Sequence, residues 1–195
     1  MHPHVNDDIL SYFRYGKVKH TDSEGFSEWI TPQRLMLMKA GKLFYHEEAI
    51  INEQEGLQIF IRPGKKDSVP EVVFQELETV HSKDNWRLIA SPDKEKTELQ
   101  LSSDIWIYDM LATPSHTYTL PEKFGANYGC LLYVFQGGIT VNESINLSKG
   151  ESLFIQDEAI IFRTNKRSEL VLFVTDTQSP YFDGGMYSGN KKESL

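Results

Sequence analysis

At 195 residues, with 39% hydrophobic and 25% charged side chains, the chain has an ordinary globular balance, room for one large or two small domains, and no sign of extended disorder. A formal net charge of −8 argues against a phosphate-binding surface, and no helix-turn-helix, RNA-recognition or zinc-finger spacing is present, so direct nucleic-acid binding is not expected. A single cysteine, Cys130, excludes an intrachain disulfide and fits a reducing compartment; with no signal-peptide pattern and no long apolar run, the expectation is a cytoplasmic protein without a membrane partner.

The chain opens on His2-Pro3-His4, and short β-rich runs follow at 9–18, 27–30, 35–38 and 57–61. Turn chemistry separates them at Asp22-Ser23-Glu24-Gly25 and Arg62-Pro63-Gly64. The one helix the pattern offers is weak, over 71–80, at the place of an interdomain connector. Strand-like runs resume at 86–90, 99–101, 105–111, 130–135, 138–141, 152–155, 160–164 and 170–176, broken by Ser91-Pro92-Asp93, Gln136-Gly137-Gly138 and Ser148-Lys149-Gly150. Many short strands at regular spacing read as barrels or sandwiches. After Ser179 the glycines and the charged end read as a mobile tail.

The most specific chemical signal is a pair of spacings. His2 and His4 stand i, i+2, and so do His46 and Glu48 in Phe44-Tyr45-His46-Glu47-Glu48; successive strand side chains alternate, so each pair shares one face. Two such strands facing each other would converge four ligands, and three imidazoles with one carboxylate suit Fe, Mn, Ni, Cu or Zn with two positions left open. Read without other context, His-x-His is more often a tag scar or a floppy surface pair and His-Glu-Glu an ordinary polar turn. Around them, Tyr12, Tyr15, Phe44 and Tyr45 read as pocket wall or core, alternation turns Tyr45 and Glu47 away from His46, and Asp7 and Asp8 read as partners orienting the imidazoles or as exposed loop. His20, beside Asp22, reads as a surface hydrogen-bonding residue. Cys130, in the apolar run Tyr128-Gly129-Cys130-Leu131-Leu132-Tyr133-Val134, reads as a buried structural thiol.

The run from His2-Pro3-His4 through Gly16 to His20-Thr21-Asp22-Ser23-Glu24-Gly25 resembles the signature of the pirin family, in which HPH leads a strand and an H-x-D-S-x-G turn follows. Ala40-Gly41, four residues and then His46-x-Glu48 resembles that family's second signature. Leu88-Ile89-Ala90-Ser91-Pro92, Leu99-Gln100-Leu101 and Gly150 to Glu158 resemble the C-terminal cupin of the shorter bacterial pirin-like proteins. The chain departs from the pattern where Val5-Asn6-Asp7-Asp8 follows HPH and where Leu43 stands for a glycine. Pirins also carry several dozen residues before HPH, whereas here Met1 precedes His2 directly. The resemblance implies an all-β bicupin of two cupin-type β-barrel domains, the N-terminal one incomplete: a metal-site cupin at 1–70, a connector at 71–85, a C-terminal cupin at 86–180 and a flexible tail at 181–195. The expectation that goes with the short start is either a misplaced start or a homodimer covering the open edge.

By the same resemblance His2, His4, His46 and Glu48 correspond to the metal ligands, with iron as Fe(II) the family's usual metal and Ni, Mn, Cu or Zn as alternatives. It implies a quercetin 2,3-dioxygenase-like oxygenase acting on a flavonol-like aromatic substrate, with Glu48 as ligand and catalytic base. Two other readings stay open: a redox-responsive regulatory binding protein and a metal-free bicupin scaffold. The second half repeats the first in outline, Gly137-Gly138-Ile139-Thr140 answering Gly16-Lys17-Val18, but without matching ligands, so it reads as structural or dimer-forming.

Overall fold

The structure, a computed structural model, describes residues 1–121 and 124–189; among these there is no helix, and so none long and apolar enough to cross a membrane. Everything regular is antiparallel strand, as the alternating pattern requires. The contacts divide the chain into two compact units, the first made of Met1–Val80, Pro92–Ser103 and the segment from Pro180 on, the second of His81–Ser91 and Asp104–Ser179.

The first unit holds β1 (His2–His4), β2 (Asp8–Tyr15), β3 (Val18–Asp22), β4 (Ser27–Ile30), β5 (Arg34–Lys39), β6 (Phe44–Ile50), β7 (Glu55–Ile61) and β8 (Glu71–Glu76). They form two four-stranded sheets, β1-β6-β3-β4 and β7-β2-β5-β8. Ile9 and Phe13 of β2 and Met36 and Met38 of β5 pack against Val18, Ile30 and Phe44 of the other sheet, so one apolar core lies between the inner faces. The expected strand over 9–18 breaks at Gly16, whose φ of 79° lies in the left-handed region and whose added Cβ would collide with the Glu53 carbonyl. At the sheet's end β1 pairs with β6 alone, its other edge unpaired among the described residues.

The helix read over 71–80 is corrected to a strand. Residues Glu71–Glu76 pair along the whole of β5, from Lys39↔Glu71 to Arg34↔Glu76. Val72 and Phe74, two apart, pack on the core while β-branched Val73 lies on the other side of the pleat, a period of two that the helical reading mistook. The connector therefore begins with a strand of the first unit. The run 99–101 forms no strand, although Leu99 and Leu101 are buried.

The second unit holds β9 (Arg87–Ala90), β10 (Ile105–Ala112), β11 (Tyr118–Thr119), β12 (Tyr128–Gln136), β13 (Gly138–Val141), β14 (Ile145–Ser148), β15 (Ser152–Gln156), β16 (Ile161–Arg163) and β17 (Ser168–Asp176). Its sheets run β15-β12-β17-β10-β9 and β11-β16-β13-β14. Met110, Leu132, Val134, Leu170 and Leu172 of the larger sheet meet Ile139, Val141 and Phe162 of the smaller. Both units thus have the two-sheet cupin architecture, with sheets that stop short of closing into continuous barrels. Cys130 is a buried thiol of β12, pushed up to about 11 by burial.

The tail read as mobile is corrected over 181–189. Phe182 N–H donates to the Pro63 carbonyl at 2.8 Å, Met186 N–H to the Val5 carbonyl at 2.8 Å, and the Arg62 guanidinium to the Ser188 carbonyl at 3.0 Å. These bonds tie the segment to the first unit, so its glycines serve close packing. Residues 190–195 of that expected tail lie outside the described residues.

Candidate metal centre

Strand register assembles the site. On one side of β6, His2 of β1 stands opposite His46 and His4 opposite Phe44; on the other, Asp22 of β3 stands opposite His46 and His20 opposite Glu48. Directly opposed residues of an antiparallel pair share a face, and so do residues two apart, so these side chains all point the same way. The His46 ring centroid lies 4.6 Å from that of His2, 4.9 Å from that of His4 and 5.3 Å from that of His20. The Nε2 atoms of His2 and His4 approach to 3.0 Å. Two neutral acceptor nitrogens cannot bond at that separation, so one carries a proton or both face a common cation.

Two sets of three side chains can bring ligand atoms within 4.8 Å of one another: His2, His4 and His46, and His20, His46 and Glu48. The four residues singled out by spacing therefore gather around His46, with Glu48 reaching it on the His20 side. The Glu48 carboxylate accepts from Ser11 Oγ at 3.3 Å and Gln58 Nε2 at 3.0 Å. Burial raises its pKa, opposed by His20 and by those two donors.

His20 corrects the sequence reading, for it is fully buried. Its Nε2 lies 2.8 Å from Asp22 Oδ2, and Asp22 Oδ1 accepts the backbone N–H groups of Glu24 at 2.9 Å and Phe26 at 3.1 Å. A carboxylate only accepts, so His20 Nε2 carries the proton and, in the neutral imidazole, its Nδ1 is an acceptor. That acceptor lies 3.4 Å from His46 Nδ1, which then holds its own proton and leaves His46 Nε2 with a free lone pair. His46 Nε2 is buried and has no hydrogen-bond partner among the described residues. An orphaned buried lone pair beside two further imidazoles fits a metal ligand, and the Asp22-His20-His46 order is the outer support such a ligand requires. His46 is held neutral, its pKa pushed down to about 3 by burial first and then by His4, His2 and His20. Burial and the neighbouring His4 also lower His2.

His4 has a carboxylate close by, beyond hydrogen-bond distance. Its Nδ1 lies 3.6 Å from Oδ2 of Asp7, a buried residue that accepts the backbone N–H of Ser188 at 2.8 Å and of Tyr187 at 3.1 Å. Burial works to raise the Asp7 carboxyl, but His4 and the Ser188 and Tyr187 donors outweigh it and hold the group below the usual range. Asp8 turns elsewhere, to the Ser102 hydroxyl. Tyr12 and Phe44 are core, Tyr15 and Tyr45 are exposed, and Glu47 pairs with the N-terminal ammonium at 3.1 Å.

Above the histidines opens a cavity of about 710 Å³, walled by Phe13, Gln58, Phe60 and Tyr187. The Tyr187 ring lies 5.1 Å from His4 and 5.5 Å from Phe60. No local motif announces Tyr187; it reaches the site only because the C-terminal segment lies along Asn6 and Asp7.

A two-sheet cupin with an inward cluster of imidazoles and a carboxylate on one sheet defines a class of small-molecule and metal sites. The comparisons narrow it: the Pirin family model matches residues 1–61, and a model described as the quercetinase C-terminal cupin domain matches residues 88–174. The chain belongs to the pirin family. It is 28% identical over 176 residues to a quercetin 2,3-dioxygenase of Escherichia coli strain K12, covering 88% of this chain and 74% of that one. A putative quercetin 2,3-dioxygenase of Pasteurella multocida is 26% identical over 179 residues, 89% of this chain and 74% of its own. Among solved structures, YhhW from Escherichia coli superimposes with a TM-score of 0.78 at 28% identity, over 89% of this chain and 74% of that one. The same bacterial pirin solved in complex with nickel(II) gives 0.79 at 25% identity, over 90% and 75%.

Proposed function

We propose that this protein is a metal-dependent oxygenase of the quercetin 2,3-dioxygenase type, with His2, His4, His46 and Glu48 holding one divalent transition metal. The observation that carries the reading is the buried, unpartnered Nε2 of His46, turned toward His2 and His4 by the Asp22-His20 pair. Iron is the metal the family resemblance implies, and nickel is the one bound in the Escherichia coli relative. Such a metal, when bound, supplies Lewis acidity and a template on which a flavonol and O2 meet.

The chain's own residues do the rest. Phe13, Phe60 and Tyr187 offer an aromatic enclosure for a planar flavonol above the histidines. Glu48, whose basicity burial raises, would take the proton of the flavonol hydroxyl. Ser11 and Gln58 hold that carboxylate in place and donate to it while it is charged. The open volume over the cluster favours a substrate over a purely regulatory centre, which needs no room for a ligand.

The test pairs elemental analysis with aerobic turnover of quercetin by iron-loaded and nickel-loaded protein. The expected result is near-stoichiometric metal, loss of flavonol absorbance, and loss of both in a His4→Ala/His46→Ala variant. Bound metal without any loss of flavonol absorbance overturns the oxygenase reading in favour of regulation. Absence of metal in the unmodified protein overturns the metal centre itself.

A further inference from the structure

We propose that the second cupin unit carries its own small-molecule site, independent of any metal, for a planar aromatic compound that is neutral or cationic. A cavity of about 790 Å³ opens at the end of that unit, larger than the one above the histidines and within the usual size of a ligand pocket. Its floor is Cys130, Ile155 and Ile160, and its wall is Leu120, Phe124 and Tyr128. The rings of Phe124 and Tyr128 lie 5.9 Å apart and tilted, and Trp106 backs Tyr128 at 5.8 Å.

The lining gives the ligand its class. Leu120, Phe124 and Tyr128 pack on the core yet remain only partly buried, so a flat apolar molecule laid against them removes apolar surface from water that the fold leaves exposed. Among the described lining residues the charged ones are Asp157 and Glu158, both exposed, with no lysine or arginine. These two carboxylates weigh against an anion and not against a neutral or cationic molecule. Asp157 takes a φ of 58°, a left-handed conformation uncommon outside glycine, and turns the chain out of β15 at this point. Among the described residues the lining gathers no group of three metal-ligating side chains. The Cys130 thiol, pushed up to about 11, stays protonated and serves as apolar floor, which makes the binding reversible.

The sole cysteine of the chain is a built-in reporter. The experiment titrates metal-free full-length protein with 2-naphthol, a neutral two-ring probe, and with 2-naphthoate, its anionic counterpart, following the amide and methyl resonances of Cys130, Ile155 and Ile160. Saturable shifts at these residues with naphthol, and binding of naphthoate weaker by about tenfold or more, are the expected result. An Ala159→Trp variant, which fills the cavity from an exposed position, should abolish the naphthol shifts while leaving the thermal midpoint unchanged. Absence of shifts at millimolar naphthol, or equal binding of the anion, overturns the proposal with the unmodified protein alone. Shifts confined to His4, His46 and Phe60 overturn it too, by assigning the probe to the other cavity.

Discussion

Gly185 packs the C-terminal segment against Asn6 and Asp7, beside the candidate metal centre, and Gly185→Ala is a perturbation that leaves every candidate ligand in place. A Cβ there would collide with the Asn6 carbonyl oxygen and lie 2.7 Å from Asp7 Oδ1, so the segment must lift. Lifting it withdraws the Tyr187 and Ser188 N–H groups from Asp7, at 3.1 and 2.8 Å. A hydrogen bond to a charged group contributes about 1.5–3 kcal/mol, and water entering beside the released carboxylate restores part of the loss. The expected destabilisation of the metal-free protein is therefore about 2–4 kcal/mol for the two bonds together. Asp7 in turn lies beside His4 Nδ1 at 3.6 Å, and loss of such an outer carboxylate lowers metal affinity by about 10–100-fold. The assay is competition of the protein with a chromophoric chelator for nickel(II), beside a thermal unfolding curve of the metal-free protein. Affinity within about twofold of the unmodified protein, with an unchanged melting midpoint, would refute the chain of contacts from Gly185 through Asp7 to His4.

Further outcomes follow from the same geometry. Asp22→Asn presents His20 with an amide that can donate as well as accept, so the tautomer of His46 is no longer imposed and metal affinity should drop about 10–100-fold in the same competition assay; an unchanged affinity would break the assigned order of protons. In metal-free protein His46 is depressed to about 3 against an ordinary value of 6.5, so between these pH values the unfolded chain binds more protons than the folded one. Its contribution to stability is present above pH 6.5 and is lost as pH falls toward 3, whereas Glu48, raised by burial, acts in the opposite sense, favouring the fold while protonated and opposing it as pH rises above its ordinary value of 4.5. The melting midpoint should fall from pH 7 to pH 4 more steeply in the unmodified protein than in His46→Leu, and equal slopes would contradict the assignment. Cys130, its thiol pushed up to about 11 by burial, is little ionised at pH 8 and should react slowly with a thiol reagent in the folded protein and at once in denaturant; equal rates in the two states would contradict this.

Alternation along single strands was enough to pair His2 with His4 and His46 with Glu48, because a period of two needs no knowledge of neighbours. The same logic turned Tyr45 and Glu47 outward, and both are exposed. It also made the chain all-β from its short apolar runs and their Gly, Pro and Asp punctuation.

Where the local pattern was ambiguous, pairing decided. Residues 71–76 carry too few apolar positions to separate a period of 3.6 from one of two, and it is the ladder to β5 that makes them a strand. His20 has nothing in its own neighbourhood to distinguish a surface hairpin residue from a buried one. Its place is set by register, because Asp22 falls opposite His46 and His20 opposite Glu48, and a slip of one residue would send both to the other face.

Distance along the chain hides the remaining parts of the site. Tyr187 and the amides that hold Asp7 belong to a segment whose glycines and polar residues read as a tail, and only Gly185 packing against Asn6 and Asp7 turns it into a wall of the cavity. The sequence by itself determined the strand-borne pairs His2/His4 and His46/Glu48, since alternation is a local property of the backbone. Their convergence on His46, the proton order imposed by Asp22 and His20, and the closing of the pocket by Tyr187 were decided by register and packing, which act between residues that no spacing rule connects.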